Sequence, residues 1–111
     1  MTRHDDQVSL LHMLDHAREA RNLMKGRRRA ALDNDRVLTL AVVRLLEVVG
    51  EAANRVSPET KRRNPSVPWP QIVGLRNRLI HAYDAVDTDV LWQIVKRDVP
   101  GLIVVLDKLV D

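Results

Sequence analysis

The chain has 111 residues, 45% of them hydrophobic, which fits one globular domain over residues 1–111, and its lack of cysteine excludes disulfides and thiolate metal sites. A net charge of +3, from 18 Lys and Arg against 15 Asp and Glu, permits a phosphate-bearing partner without requiring one. Aromatic residues make up 3% and Phe is absent, so a core of packed helices is favoured over a β-sandwich.

We expect neither a membrane segment nor an export signal in this sequence. No stretch of about 18 uncharged apolar residues is present, so no segment is expected to span a bilayer. The N-terminal stretch MTRHDDQVSLLHML carries two Asp residues and lacks the apolar centre of a secretion signal. We therefore expect a cytoplasmic protein.

The first predicted helix runs from about Asp5 to Lys25 and has one apolar face. Its apolar residues recur at spacings of three and four, the period of a helix that packs on one side. Gly26 is expected to end it. The apolar face is formed by Leu10, Met13, Leu14, Ala17, Ala20 and Met24.

A second helix, predicted from about Asn34 to Arg55, is apolar over most of its circumference. Its polar residues are confined to a narrow stripe, so the helix must be covered on more than one side. A chain of this length has few other elements to provide that cover. We expect this helix to be central, or to pack partly against a second subunit.

The remaining elements follow a proline-rich stretch. Ser57 and Pro58 are typical of the start of a short helix. A third main helix is predicted to begin near Pro70 and to carry residues 71–83. The last main helix is predicted to begin after a cap at Asp87 or Thr88, and the proline at position 100 should kink or divide it. The sequence thus predicts an all-α, up-and-down bundle of four main helices with one short extra helix.

Residues 76–83, RNRLIHAY, contain the side chains best suited to catalysis. A histidine side chain can take the 2′-hydroxyl proton of RNA or return a proton to the leaving oxygen, and His81 is the histidine of this window. Arg76 offers planar donors to the phosphate and keeps its charge. On an ideal helix these two residues lie about 140° apart, whereas Asn77 and His81 are one turn apart. The scheme requires neither a metal nor a cofactor.

The number of histidines in the window favours a homodimer. One window supplies one histidine, whereas a complete acid–base pair needs two. Two chains that pack with these windows facing each other would provide two histidines and two arginines in one cleft. The strongly apolar second helix is consistent with such packing.

The same window resembles the signature of the HEPN superfamily: an arginine, a polar residue, a short spacer and a histidine. The order of Arg76, four residues, His81, any residue and Tyr83 is similar to that of the HepT toxins. The stretch LLEVVGEAANRVS of the second helix resembles the corresponding HepT helix. Further similarities lie at Trp69, Ile72, Gly74, Trp92 and the element Asp98-Val99-Pro100.

The resemblance implies a HEPN-like helical homodimer that cleaves RNA as a metal-independent endoribonuclease. Arg76 and His81 are then the catalytic pair, while Asn77 and Arg78 support the RNA phosphate. The expected products are a 2′,3′-cyclic phosphate and a 5′-hydroxyl.

The resemblance also implies regulation within a type VII-like toxin–antitoxin pair. The partner is a minimal nucleotidyltransferase, similar to MntA, that transfers AMP to Tyr83. The added phosphate would compete for the arginine that holds RNA. Tyr83→Phe is therefore expected to stay toxic and to resist the antitoxin.

Simpler interpretations of these residues stay open. Arg76 and His81 can be structural, in which case the chain is a non-catalytic helical module that binds nucleotide or a partner protein. His12 and His16 have the spacing of metal ligands on a helix, but they lie opposite the apolar face and are interpreted as solvated surface.

Three further sets of residues have both a functional and a structural interpretation. The basic runs at 27–29 and 61–63 can guide RNA, although such runs are more often solvated connections. Glu47 and Glu51 are expected to pair with arginines, among them Arg44, Arg55 or Arg76, instead of forming a carboxylate site. The two tryptophans are interpreted as core anchors.

Overall fold

The computed structural model describes residues 3–81 and 85–111, with side chains described from residue 5 onward. The described residues are largely helical, and their only extended pairing is an isolated antiparallel bridge between Ile80 and Val86. The predicted all-α fold is confirmed. The helices are α1 (Arg3–Met24), α2 (Ala30–Asn34), α3 (Arg36–Arg55), α4 (Pro58–Arg63), α5 (Trp69–Val73), α6 (Leu75–Leu79), α7 (Thr88–Gln93) and α8 (Val99–Leu109), and a π-helical turn (Ile94–Asp98) joins α7 to α8.

Helix α1 runs antiparallel to both α3 and α8. Its first turn lies beside the end of α3, where the buried carboxylate of Asp6 accepts hydrogen bonds from Ser57. Gln7 Nε2 donates to the carbonyl of Leu109 at 3.0 Å, which places the end of α8 there too. The predicted apolar face of α1 is buried at every one of its six positions: Leu10, Met13, Leu14, Ala17, Ala20 and Met24.

Helix α3 is the central element, as its composition predicted. It begins after Asp35, whose side chain accepts from the backbone N–H of Leu38, a hydrogen bond typical of an N-cap. One long face lies in the core, yet Val37 is 79% and Leu40 is 45% exposed on the other. The buried members of α3 are Leu38, Thr39, Val42, Val43, Leu46, Val49, Gly50, Ala52 and Ala53.

Helices α3 and α5 approach each other closely at Gly50. A Cβ atom at this position would lie 2.8 Å from the carbonyl oxygen of Ile72, closer than such contacts occur. Only glycine therefore allows the two backbones to come together here. This contact fixes the start of the segment that carries the candidate catalytic residues.

That segment is not the single helix that the sequence predicted. Gly74 separates α5 from α6, and α6 ends at Leu79. Ile80 is extended, and the backbone N–H of His81 donates to the carbonyl of Ala85 at 2.8 Å. The chain turns back because Ile80 pairs with Val86 instead of continuing the helix, so His81 lies outside any helix.

The C-terminal helix is divided where the sequence predicted a break. The π-helical turn ends at Asp98 and α8 begins at Val99, directly before Pro100. Proline has no backbone N–H, so one hydrogen bond to the preceding turn cannot form. A change of helical pitch just before Pro100 accommodates this loss. No helix of the described residues is long and apolar enough to cross a membrane.

Candidate functional site

Arg76 and Asn77 lie in one cleft between α3 and the α5–α6 segment. Both side chains are exposed, and the cleft has a volume of about 290 Å³. The α3 side of the cleft is the polar stripe of that helix, and the other side begins at Val73. The lining residues are Glu47, Gly50, Glu51, Asn54, Val73, Arg76 and Asn77.

The guanidinium of Arg76 is held from one side by a carboxylate. Its Nε lies 3.4 Å from Glu47 Oε2, and the Glu47 side chain is only 17% exposed. Arg44 lies 3.9 Å from the same oxygen and 3.1 Å from Glu51, so the two glutamates pair with arginines as predicted. Among the described residues, Nε makes the contact with Glu47, which leaves the two terminal amino groups of Arg76 for a planar anion such as phosphate.

His81 lies beyond the end of α6, at the turn that leads to α7. Its side chain is 62% exposed, and its Nε2 is 3.5 Å from Asp87 Oδ2. The other carboxylate oxygen of Asp87 accepts from the backbone N–H of Val90 at 3.1 Å and caps α7. That N–H lowers the pKa of Asp87, partial burial opposes the effect, and the contact with His81 lowers the pKa further.

Sequence reasoning identified Asp87 only as one of two possible caps of the last helix, the other being Thr88. Its position directly before Thr88 was the available signal for the cap. Its contact with His81 depends on the turn between α6 and α7, which the sequence-based assignment of a continuous helix did not include.

Arg78 lies apart from Arg76 and Asn77. It borders a larger groove of about 580 Å³ between the α5–α6 segment and α8. Its Nη2 is 3.7 Å from Asp98 Oδ2. The lining of this groove is mostly apolar and includes none of Arg76, Asn77 and His81. Of the candidate residues in the described chain, the structure thus brings Arg76 and Asn77 into one cleft and places His81 and Arg78 outside its lining.

A comparison with known protein families shows the class to which this chain belongs. A family model described as Ribonuclease HepT-like matches residues 13–109, which include every described candidate residue of the site. The chain belongs to the HepT-like ribonuclease family. The expectation of an endoribonuclease is thereby confirmed at the level of the family.

Relatives of this HepT-like ribonuclease have names of the same kind. A Methanocaldococcus jannaschii protein named "Putative RNase MJ1380" is 37% identical over 102 residues, which cover 92% of this chain and 94% of the relative. A Thermococcus cleftensis protein named "Probable ribonuclease HepT" is 44% identical over 68 residues, which cover 61% of this chain and 62% of the relative. No solved structure matches the chain.

Two other predictions for this HepT-like ribonuclease concern Tyr83 and metal binding. Tyr83 lies outside the described residues. His16 Nδ1 is 2.7 Å from the carbonyl oxygen of His12, so one ring of this pair contacts the α1 backbone. Among the residues that the structure describes, no group of three His, Cys, Asp or Glu side chains is arranged to hold a metal ion.

The basic runs of the HepT-like ribonuclease contain residues with structural partners. Arg29 contacts Asp33, Asp89 and Thr88, and so joins α2 to the start of α7. Lys61 Nζ lies 5.9 Å from the centre of the Trp69 ring. Trp69 is buried, and its position in the core agrees with the prediction of an anchor.

Proposed function

We propose that this chain is the toxin of a type VII-like toxin–antitoxin pair and cleaves RNA without a metal ion. One observation carries the proposal: the two chemically suited side chains, Arg76 and His81, are both largely exposed, and each lies beside a carboxylate. Neither is a satisfied core residue. Membership of the HepT-like ribonuclease family supports the choice of RNA as substrate.

The proposed reaction is a transesterification within the RNA. His81 takes the proton of the 2′-hydroxyl, and the 2′-oxygen forms a bond to the adjacent phosphorus. The bond from phosphorus to the 5′-oxygen breaks, and a second imidazole protonates that oxygen. Arg76 donates to the phosphate oxygens while negative charge grows on them, and Asn77 lies beside it in the cleft. The products are a 2′,3′-cyclic phosphate and a 5′-hydroxyl.

The second imidazole comes from a second copy of the chain. Val37 and Leu40 are exposed on α3 and lie on the same face of the helix as Arg44 and Glu47, by the spacing of three and four residues. A copy packed against this stripe covers the exposed apolar side chains. It also brings a second cleft, with its own arginine, next to the first.

We extend the proposal to a partner that silences the enzyme. A minimal nucleotidyltransferase, similar to MntA, transfers AMP to Tyr83, two residues beyond His81 in the sequence. The phosphate of AMP carries negative charge and would compete with RNA phosphate for the arginine. Mass spectrometry of the peptide that contains Tyr83, after production together with an MntA-like nucleotidyltransferase, should show a mass increase of one adenylyl group.

The cleavage itself is tested with purified protein and single-stranded RNA in the presence of a chelator. Arg76→Ala and His81→Ala are each expected to lower kcat by about 100-fold or more, the size of an acid–base or phosphate-stabilising contribution. Arg18→Ala and His12→Ala are matched controls, because both residues are on α1 and Arg18 also pairs with one carboxylate, that of Asp107.

Two results would count against the enzymatic proposal. The first is RNA cleavage that persists in Arg76→Ala and His81→Ala at the level of the two control variants. The second is a wild-type protein that leaves RNA intact and yet binds nucleotide or a partner protein, which would favour the non-catalytic helical module.

A further inference from the structure

Asp87 contacts His81 between the end of α6 and the start of α7. The backbone N–H of Asp87 donates to the carbonyl of Leu79 at 2.9 Å, and the N–H of His81 donates to Ala85 at 2.8 Å. These two hydrogen bonds flank the bridge between Ile80 and Val86. They bring residues 81 and 87 to the same short ladder, where Asp87 Oδ2 lies 3.5 Å from His81 Nε2.

The backbone next to Asp87 is held in place by hydrogen bonds. Thr88 Oγ1 donates to Asp33 Oδ1 at 2.9 Å and accepts from Arg29 Nη2 at 3.1 Å. Arg29 also contacts Asp89. The start of α7 is thus fixed to α2 through its first two residues, so the Asp87 carboxylate is presented from a constrained backbone.

The two oxygens of Asp87 have different partners. Oδ1 accepts from the N–H of Val90, which is all that an N-cap requires, and Ser, Thr or Asn would serve there equally well. Oδ2 faces His81, the one ion-pair partner that Asp87 has among the described residues. The contact of Oδ2 with His81 is therefore separate from the capping of α7.

We propose that Asp87 is a positioning residue for His81, which rests on the proposed ribonuclease function. Oδ2 accepts a hydrogen bond from Nε2–H and so selects the tautomer in which Nδ1 carries the free electron pair. Nδ1 is then the atom that takes the 2′-hydroxyl proton. Asp87 keeps its charge throughout and lies beside the imidazolium that forms.

The kinetic test compares Asp87→Asn with Asp35→Asn. Both substitutions keep a good N-cap, since Asp35 caps α3 through the N–H of Leu38, but only Asp87 faces a histidine. The amide that Asp87→Asn introduces would donate to Nε2 and favour the opposite tautomer. We expect kcat to fall by about 10-fold or more, with KM unchanged within about twofold. Asp35→Asn should leave both constants as in the wild type.

Asp87→Ser separates the loss of the partner from the reversal of the tautomer. Serine caps α7 but is too short to reach the ring, so the loss in kcat should be smaller than with Asn. Circular dichroism should show melting temperatures within about 2–4 °C of the wild type for both variants, because the cap is kept. If kcat of Asp87→Asn equals that of Asp35→Asn, the positioning role is overturned.

A measurement without RNA distinguishes this proposal from the function on which it rests. In ¹⁵N-labelled wild-type protein at neutral pH, the His81 Nε2 signal should be that of a protonated nitrogen and Nδ1 that of an unprotonated one. Asp87→Asn should reverse the two signals, whatever the activity. A wild-type Nδ1–H tautomer would overturn the proposal, even if His81→Ala abolishes cleavage and the ribonuclease assignment stands.

The double variant completes the test. Adding Asp87→Asn to His81→Ala should cause no further loss of the residual activity, because the effect of Asp87 passes through the ring. A further loss of the size seen in the single Asp87→Asn variant would contradict the proposal.

Discussion

Asp6 is a buried carboxylate at the junction of α1 and α4, and both of its oxygens accept hydrogen bonds. They come from the backbone N–H and hydroxyl of Ser57, at 2.9 and 2.6 Å, and from the hydroxyl of Thr60 at 2.6 Å. Burial by itself raises the pKa of Asp6, but these hydrogen bonds outweigh it and leave the pKa below its ordinary value of 3.8. The charged form of Asp6 therefore stabilises the fold.

The pH dependence of stability follows from the sign of that shift. Because the folded pKa is below the unfolded one, the contribution of Asp6 is fully present above pH 3.8 and is lost as the pH falls through the folded pKa. Asp6→Asn should lower the free energy of unfolding at neutral pH by about 1–3 kcal/mol, the usual effect of disrupting a buried charged hydrogen-bond network.

Urea denaturation of wild type and variant across the acid range measures this difference. Asp15→Asn is the control, since Asp15 is exposed on the same helix and should change stability little at any pH. The difference in the free energy of unfolding between wild type and Asp6→Asn should become smaller below the ordinary carboxyl pKa. If this difference stays constant into strong acid, the charge of Asp6 is not what stabilises the fold.

At the scale of the elements, the site depends on the approach of α5 to α3. Gly50 faces the carbonyl oxygen of Ile72, and one turn before it on α3 lies Glu47, which contacts Arg76. The position of the guanidinium is thus set by the distance between two backbones. Arg76 comes only two residues after Gly74, which ends α5, so a movement of α5 is transmitted to it directly.

Gly50→Ala should destabilise the protein and weaken cleavage together. The new Cβ would lie 2.8 Å from a backbone oxygen, and such overpacking costs about 1–3 kcal/mol, against a gain of about 1 kcal/mol in helix propensity. Gly101→Ala is the matched control, because a Cβ there meets nothing within 4 Å. It should raise the melting temperature slightly, whereas a similar rise for Gly50→Ala would contradict the close approach.

At the scale of the whole molecule, the exposed stripe of α3 is the surface on which we propose that the second subunit packs. Val37 and Leu40 interrupt an otherwise polar exterior at the start of the helix, and Arg44, Glu47 and Glu51 continue the same face toward the cleft. A subunit on this stripe would complete the acid–base pair that one chain lacks.

Leu40→Glu is therefore expected to yield a monomer of 12.7 kDa and to lose cleavage. Sedimentation equilibrium gives the mass, and RNA cleavage is measured on the same preparation. Val104→Glu is the control, since Val104 is 57% exposed on α8 and lies off the stripe. A monomeric Leu40→Glu protein with full activity would refute the composite cleft.

The sequence by itself determined the helical class, the buried face of α1, the central place of α3 and the break before Pro100. These features depend on local periodicity and on residues with strong conformational preferences, so the order of residues along the chain is sufficient to predict them. The identity of Arg76, Asn77 and His81 as candidates was also fixed by side-chain chemistry and spacing alone. The same is true of the pairing of Glu47 with arginine, because residues on one polar stripe need a partner of opposite charge.

Only the tertiary structure decided where those candidates lie relative to one another. The sequence predicted one helix from Pro70 onward, but α6 ends at Leu79 because Ile80 pairs with Val86 across a turn. That pairing joins the backbones of two residues six positions apart, and the apolar periodicity of the segment does not predict it. It takes His81 off the helix, separates it from Asn77, and sets it opposite Asp87, which the sequence had marked only as a possible cap of the next helix.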